Sequence, residues 1–139
     1  MMKISSEKMH AVLIPMLMEG EDYSCAVYVG FGAKHKFSHS AFNIQYGYVA
    51  VTSFNRLLVA QFNVLGIMTE YGSFPLSSLS SLDIRRGTIT KIYKMKMTFN
   101  IDGKEQKLRF NASPKVFMTN LKDQEQNLNG LMDELQKWK

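Results

Sequence analysis

Cysteine is almost missing from this sequence. Cys25 stands alone among 139 residues, so no disulfide can form within the chain. A lone thiol fits a reducing compartment, where its ordinary role is that of a small buried hydrophobe. Long apolar runs are missing too: no stretch approaches the ~20 residues that carry a helix across a bilayer. A secretory pattern is not visible, because Glu7 and His10 interrupt any early apolar run and Pro15 and Glu19 follow. A cytoplasmic, intracellular protein is expected. Catalytic signatures are also wanting. Gly30-x-Gly32 leads into a Lys/His loop rather than a helix, and no Gly-x-Ser-x-Gly elbow occurs. Asp83, Asp102 and the glutamates stand singly, and His10 has no acid or nucleophile partner in sequence. The four-residue spacing of His35 and His39 aligns side chains only on a helix, which this stretch does not resemble. Together with Cys25 they also fall short of the four N or S ligands of a structural zinc site. The expectation is no enzyme, no cofactor and no metal.

What remains is an ordinary globular composition, 45% hydrophobic and 21% charged, in a chain long enough for one domain. A domain of this size buries about two thirds of its unfolded surface and needs no metal or disulfide to fold. The net charge of +5 permits an anionic partner without requiring one.

The clearest helix is Asp123–Lys139. Leu128, Leu131, Met132, Leu135 and Trp138 draw one apolar stripe down it. Asp123 with Gln126 reads as a variant capping box, and Lys137 and Lys139 lie where a cation favours the helix dipole. Gly130 weakens the helix by about 1 kcal/mol relative to Ala. A second helical spacing, Met9, Val12, Leu13, Met16 and Leu17, follows Ser5 or Ser6 as N-cap, with Pro15 kinking it or starting a shorter helix. This arm, residues 1–18, either packs locally or lies on another copy of the chain, with Met9, Met16 and Met18 available for that contact.

From Tyr23 the texture turns to strands. Tyr23–Phe31, Tyr46–Thr52, Arg56–Val64, Tyr71–Leu76, Ser80–Arg86, Ile89–Phe99 and Glu105–Asn111 make seven, separated by turn signals. Pro75 belongs at an edge or a bend. Asp102-Gly103 is a strong type I′ turn. It pairs Ile101 with Lys104, Phe99 with Gln106, Met97 with Leu108 and Met95 with Phe110. That register turns Met95, Met97, Phe99, Leu108 and Phe110 towards a core. The opposite face then carries Lys94, Lys96, Lys107 and Arg109, with Lys96 directly across from Arg109. Like charges opposed on a ladder destabilise it, so the cluster invites an anion. The plain alternative is a solvated face whose lysines splay apart, and exposed charges interact so weakly in water that this alternative carries more weight. Arg85, Arg86 and Lys91 lie close enough in sequence to enlarge the patch. Lys115–Lys122 reads equally as a helical turn or an extended connector.

Seven strands closed by a C-terminal helix resemble the pleckstrin-homology (PH) superfold, and three stretches resemble the bacterial YokE-like PH group in particular. They are Tyr48-Val49-Ala50-Val51-Thr52 with Arg56-Leu57-Leu58-Val59, the corner and strand Phe74–Ile84, and the acidic-glycine step Glu19-Gly20-Glu21. The turn between Thr52 and Arg56 is one residue longer than the family's usual form. The resemblance covers residues 19–139 and implies an α+β fold: a seven-stranded open barrel capped by a C-terminal helix, with the N-terminal helical arm outside it. It further implies a non-catalytic scaffold, sometimes oligomeric; because exposed strand edges of a partly open barrel offer backbone pairing, the expected function is a binding module acting through protein–protein or self-association. In lipid-binding members the loop after the first strand grips inositol phosphates. Lys34 and Lys36 could play that part here, but Ile44–Val51 carries no Lys or Arg, so the motif is incomplete and a polar loop is preferred. The alternative function is an anion or membrane-surface module using Lys94, Lys96, Lys107 and Arg109, possibly with Lys34 and Lys36. Nucleic acid is the least expected partner.

Overall fold

The computed structural model describes residues 4–33, 44–89, 91–116, 121 and 123–139. Helix α1 (Ser6–Leu13) opens the chain, capped by Ser5, whose hydroxyl accepts from Lys8 N–H at 3.1 Å. Pro15 does not extend it; a 3₁₀ turn over Ile14–Met16 ends this arm. Seven strands follow: β1 (Tyr23–Ala33), β2 (Ile44–Thr52), β3 (Arg56–Phe62), β4 (Met68–Pro75), β5 (Leu79–Arg86), β6 (Tyr93–Ile101) and β7 (Lys104–Ala112). Helix α2 (Gln124–Gln136) closes the chain. The strands form one antiparallel sheet in the order β4-β3-β2-β1-β7-β6-β5, as the α+β open barrel requires.

The β6–β7 hairpin has the register that Asp-Gly dictates. Asp102 and Gly103 both take positive φ, 53° and 78°, and Ile101 faces Lys104. Met95, Met97, Phe99, Leu108 and Phe110 are all buried. They share one core with Val27, Val29, Val49, Leu57, Leu76 and the helix residues Leu128, Leu131 and Leu135. Met132 and Trp138 pack at its margin. At the corner after β4, Leu76 is buried and Phe74 stacks on Phe99 at 4.8 Å between ring centres.

A second, thinner core lies outside the sheet. Met9 and Leu13 of α1 are buried against Tyr48, Ala50, Leu58, Ala60 and Phe62 on the outer face of β2 and β3. Met9 is thus taken up within the chain's own fold, Met16 is partly buried and Met18 stays exposed.

The sheet nearly parts between β1 and β7, which share the single register pair Gly30↔Asn111. Polar side chains of α2 fill the gap. Gln124 accepts from Tyr28 N–H (3.1 Å) and donates to Tyr28 C=O (3.0 Å) and Ser113 C=O (3.1 Å). Asn127 donates to Ala26 C=O at 3.2 Å. Backbone groups without a strand partner are satisfied by the helix instead.

Several expectations need correction. Asp123 sits in the left-handed region (φ 61°), makes no side-chain cap and leaves the capping box unformed. Helix α2 ends at Gln136, so Lys137 caps rather than occupies its last turn and donates to Glu134 at 2.8 Å. Strand β6 starts at Tyr93, not Ile89, because Lys91 takes φ 57° and Gly87 N–H bonds Ile92 C=O at 2.9 Å, closing a loop. Strand β3 stops at Phe62, where Asn63 Oδ1 accepts from Leu65 and Ile67 N–H and turns the chain. Lys34, Lys36, His35, His39 and most of the 115–122 connector lie outside the described residues.

Cys25 is only partly buried, and it occupies a bulge of β1 with φ 54°. A Cβ placed on Gly130 would lie 2.6 Å from its sulfur and 3.8 Å from its Cβ. The helix-weakening glycine therefore seats α2 against the bulge. Gly130→Ala is expected to destabilise the protein despite its better helix propensity. In a Cys25→Ala background, where only the ordinary 3.8 Å contact remains, the same change should stabilise by about 1 kcal/mol. A urea-unfolding double-mutant cycle reads this sign reversal.

Candidate functional site

Two outward features stand apart from the filled interior. The first is built where the N-terminal arm meets the β2–β3 hairpin. Ser53-Phe54-Asn55 form a three-residue turn with Asn55 in the left-handed region (φ 58°) and Asn55 N–H bonded to Thr52 C=O at 3.0 Å. The turn places Thr52 and Arg56 side by side over Glu21, whose side chain is wholly out of solvent. Arg56 donates from Nε to Glu21 Oε2 at 2.9 Å and from Nη2 to Glu21 Oε1. The Thr52 hydroxyl donates to the same carboxylate, as does Met18 N–H at 2.9 Å. Arg56 also donates to Met16 C=O (3.1 Å) and to the Ser73 hydroxyl on β4 (2.9 Å). Hydrogen bonds from Arg56, with those from Thr52 and Met18, hold the Glu21 carboxyl down at about 2 against the opposing push of burial. Arg56 is raised in turn by Glu21.

Beside this knot runs an apolar groove of about 610 Å³ between Val12, Pro15 and Met16 of the arm and Phe62, Met68 and Tyr71 of the sheet. Its outer wall is β4, an edge strand of eight residues whose only charge is Glu70. Tyr71 is 70% exposed and Met68 40% exposed, and Leu65 and Ile67 in the adjoining turn are exposed as well. A smaller hollow of about 360 Å³ opens at the barrel rim, with Gln61, Glu70 and Gln106 around Val59, Phe74 and Leu108.

The second feature is the basic face. Lys94, Lys96, Lys107 and Arg109 are all exposed on one side of β6–β7, and Lys96 lies across from Arg109 as the hairpin predicts. The β5 register fixes two neighbours: Arg85, which the sequence suggested, and Asp83, which it did not. Asp83 flanks Lys96 on its other side, and Arg85 flanks Lys94. Asp83 holds Arg85 at 3.1 Å, and Glu105 lies 3.7 Å from Lys107. Among the described residues no carboxylate pairs with Lys94, Lys96 or Arg109.

Three further groups have chemical potential: His10, Tyr48 and Cys25. His10 Nδ1 lies 2.7 Å from the Tyr23 hydroxyl. Tyr48 is fully buried, its hydroxyl has no partner among the described residues, and burial pushes its pKa up to about 12. Burial also raises the Cys25 thiol. No group of three or more metal-ligating side chains gathers among the described residues. No described helix is long and apolar enough to cross a membrane.

No family model matches the chain, and a search of curated proteins returns no match. Among solved structures, the hSac2 domain from human phosphoinositide phosphatase Sac2 is similar, with a TM-score of 0.62 at 12% sequence identity. The match covers 96% of this chain and 79% of that one. At that identity the likeness speaks for the fold alone.

The Glu21 carboxyl predicts a pH signature. Its value near 2 in the folded protein lies below the ordinary 4.5, so its contribution to stability is full above 4.5 and is lost as pH falls through about 2. At neutral pH Glu21→Gln should destabilise by about 2 kcal/mol, the scale of a charge-assisted hydrogen bond. Denaturant midpoints of the two proteins should converge as the pH is lowered across that window.

Proposed function

We propose that this chain is a non-catalytic, PH-like binding module that acts by strand pairing with a protein chain, a second copy of itself first among them. One observation carries this reading: the two free edges of the sheet differ. Edge β5 bears Asp83, Arg85 and Arg86, charges of the kind that discourage edge-to-edge pairing. Edge β4 bears Glu70 alone and presents exposed Met68 and Tyr71 beside an apolar groove. A twofold pairing of β4 centred on Tyr71 sets Tyr71 against itself and Glu70 against Gly72, so no like charges face each other.

The non-catalytic part draws support from how the titratable groups are engaged. Arg56 takes up Glu21, and Tyr23 takes up His10. The rim hollow sets Glu70, Tyr71 and Lys107 beside two amides, with no histidine or thiol in its described lining to serve as a base or nucleophile near neutral pH. The finer kinship with the YokE-like group is supported by Glu21, Thr52 and Arg56. They come from two of the three resembling stretches and meet in one network. Cytoplasmic placement is supported by the lone cysteine, which fits a reducing compartment.

A second reading, an anion-binding surface, is favoured by Lys96 and Arg109, which face one another on an open strand face. Reversing both to glutamate tests it.

Strand pairing predicts a solution mass that rises towards a dimer with concentration. Tyr71→Lys should return the chain to a monomer with an unchanged far-UV spectrum and melting profile. Light scattering on the eluting peak reads the mass. A wild-type chain that stays monomeric at every accessible concentration would remove self-pairing.

A further inference from the structure

Ile89 is 92% exposed, more than any other large hydrophobic among the described residues. A lone exposed isoleucine is ordinary on a protein surface. Its position is less so. It stands in the loop between β5 and β6, whose ends are tied by the Gly87–Ile92 backbone bond of 2.9 Å. From Ile84 to Ile101 the sequence holds five cations, Arg85, Arg86, Lys91, Lys94 and Lys96, and no acidic residue. All five are exposed. The Arg86 guanidinium lies over the Tyr93 ring at 5.7 Å, which props it beside the loop. The acidic residues nearest in register lie on β5 and β7: Asp83 is held by Arg85, and Glu105 lies near Lys107, far down the hairpin from the loop.

We propose that this loop is a docking tip for an anionic bilayer, with Ile89 entering the headgroup–acyl boundary while Arg86, Lys91 and Lys94 meet lipid phosphates. The inference deepens the anion-surface reading by naming its partner and by adding the loop to it. An apolar tip ringed by cations matches the layering of an anionic membrane, where charge lies outermost and hydrocarbon a few ångströms deeper. A duplex takes an aliphatic wedge only by unstacking a base step at a cost of a few kcal/mol, whereas a bilayer boundary receives it without that cost. Single strands also select outward aromatic side chains, and Tyr93 is instead covered by Arg86.

The test is co-sedimentation of the full chain with phosphatidylcholine vesicles, with and without phosphatidylserine, at low and at physiological salt. Binding should require phosphatidylserine and weaken as salt rises. Ile89→Ser should lower the partition coefficient about tenfold at low salt, the scale of burying one aliphatic side chain. Lys91→Glu with Lys94→Glu should lower it by at least about tenfold and flatten the salt dependence. These side chains are exposed, so circular dichroism should show each variant folded as the wild type. Ile89→Ser binding as well as wild type overturns the docking tip while leaving the anion surface standing. No loss of binding in Lys96→Glu with Arg109→Glu overturns only the broader reading of the β6–β7 face. Equal binding to both vesicle types, or tighter binding to duplex DNA than to phosphatidylserine vesicles, overturns the proposal outright.

Discussion

The structure depends on how the gap between β1 and β7 is bridged. Two half-sheets, β4-β3-β2-β1 and β7-β6-β5, touch through one register pair, too little to hold a shell closed. Helix α2 does that work twice over. Leu128, Leu131 and Leu135 bury against the inner faces of both halves, and three such side chains supply several kcal/mol of apolar transfer. Gln124 and Asn127 meanwhile occupy the hydrogen-bonding positions along β1 that a continuous β7 would have taken. Without them the Tyr28 and Ala26 backbone groups would be buried unpaired, at roughly 1–3 kcal/mol each. The helix is therefore both plug and surrogate strand. The contact of Gly130 with the Cys25 bulge follows from that intimacy.

Outside the shell, the Glu21–Thr52–Arg56 knot fixes what α2 does not reach. Helix α1 has eight residues, too few to persist alone in water, and only Met9 and Leu13 of it are buried. It stays on the sheet because Arg56 grips the segment that follows it, at Met16 C=O and Glu21, and reaches β4 through Ser73. One guanidinium thus sets the spacing between the arm and the edge strand, and with it the width of the groove. Gly47 acts within the sheet itself, on the strand face that alternates with Tyr48. A Cβ there would lie 1.8 Å from the Ala60 carbonyl oxygen, so the close approach of β2 to β3 beneath α1 admits no larger residue.

Local chemistry wrote some of this plainly into the sequence. Asp102-Gly103 specifies a turn, the turn specifies a register, and the register assigns every side chain of β6 and β7 to a face. The α2 stripe was equally readable, since its period admits no other element. Ile89 misled because a β-branched run reads as strand, whereas the left-handed backbone at Lys91 that ends the loop leaves no mark in composition. Gln124 reads as a helix-start polar residue, and its true role exists only once β1 and β7 diverge. Asp83 was missed on the basic face because the β5–β6 register follows from an irregular loop and not from a two-residue turn. Glu21, Thr52 and Arg56 were each visible, but their meeting is a tertiary fact.

The packing also limits where a partner can sit. The shell interior is filled by Met95, Met97, Phe99, Leu108 and Phe110 from one half, by Val27, Val29, Val49 and Leu57 from the other, and by the leucines of α2. Among the described residues the groove by the arm and the hollow at the rim both open outside this core, and a partner of the kind proposed would sit there. The outer surfaces of the two half-sheets are unlike. Beside α1 runs the mainly apolar groove, with Lys8 and Arg56 on its lining and a β4 wall whose single charge is Glu70. On β5–β7 the surface is polar and basic with no apolar side chain along its face. Apolar contact rewards a partner that excludes water over a large area, whereas exposed charge acts over about a Debye length and weakens with salt. Surfaces that differ this way select different classes of partner, and because they lie on different half-sheets, occupying one leaves the other open.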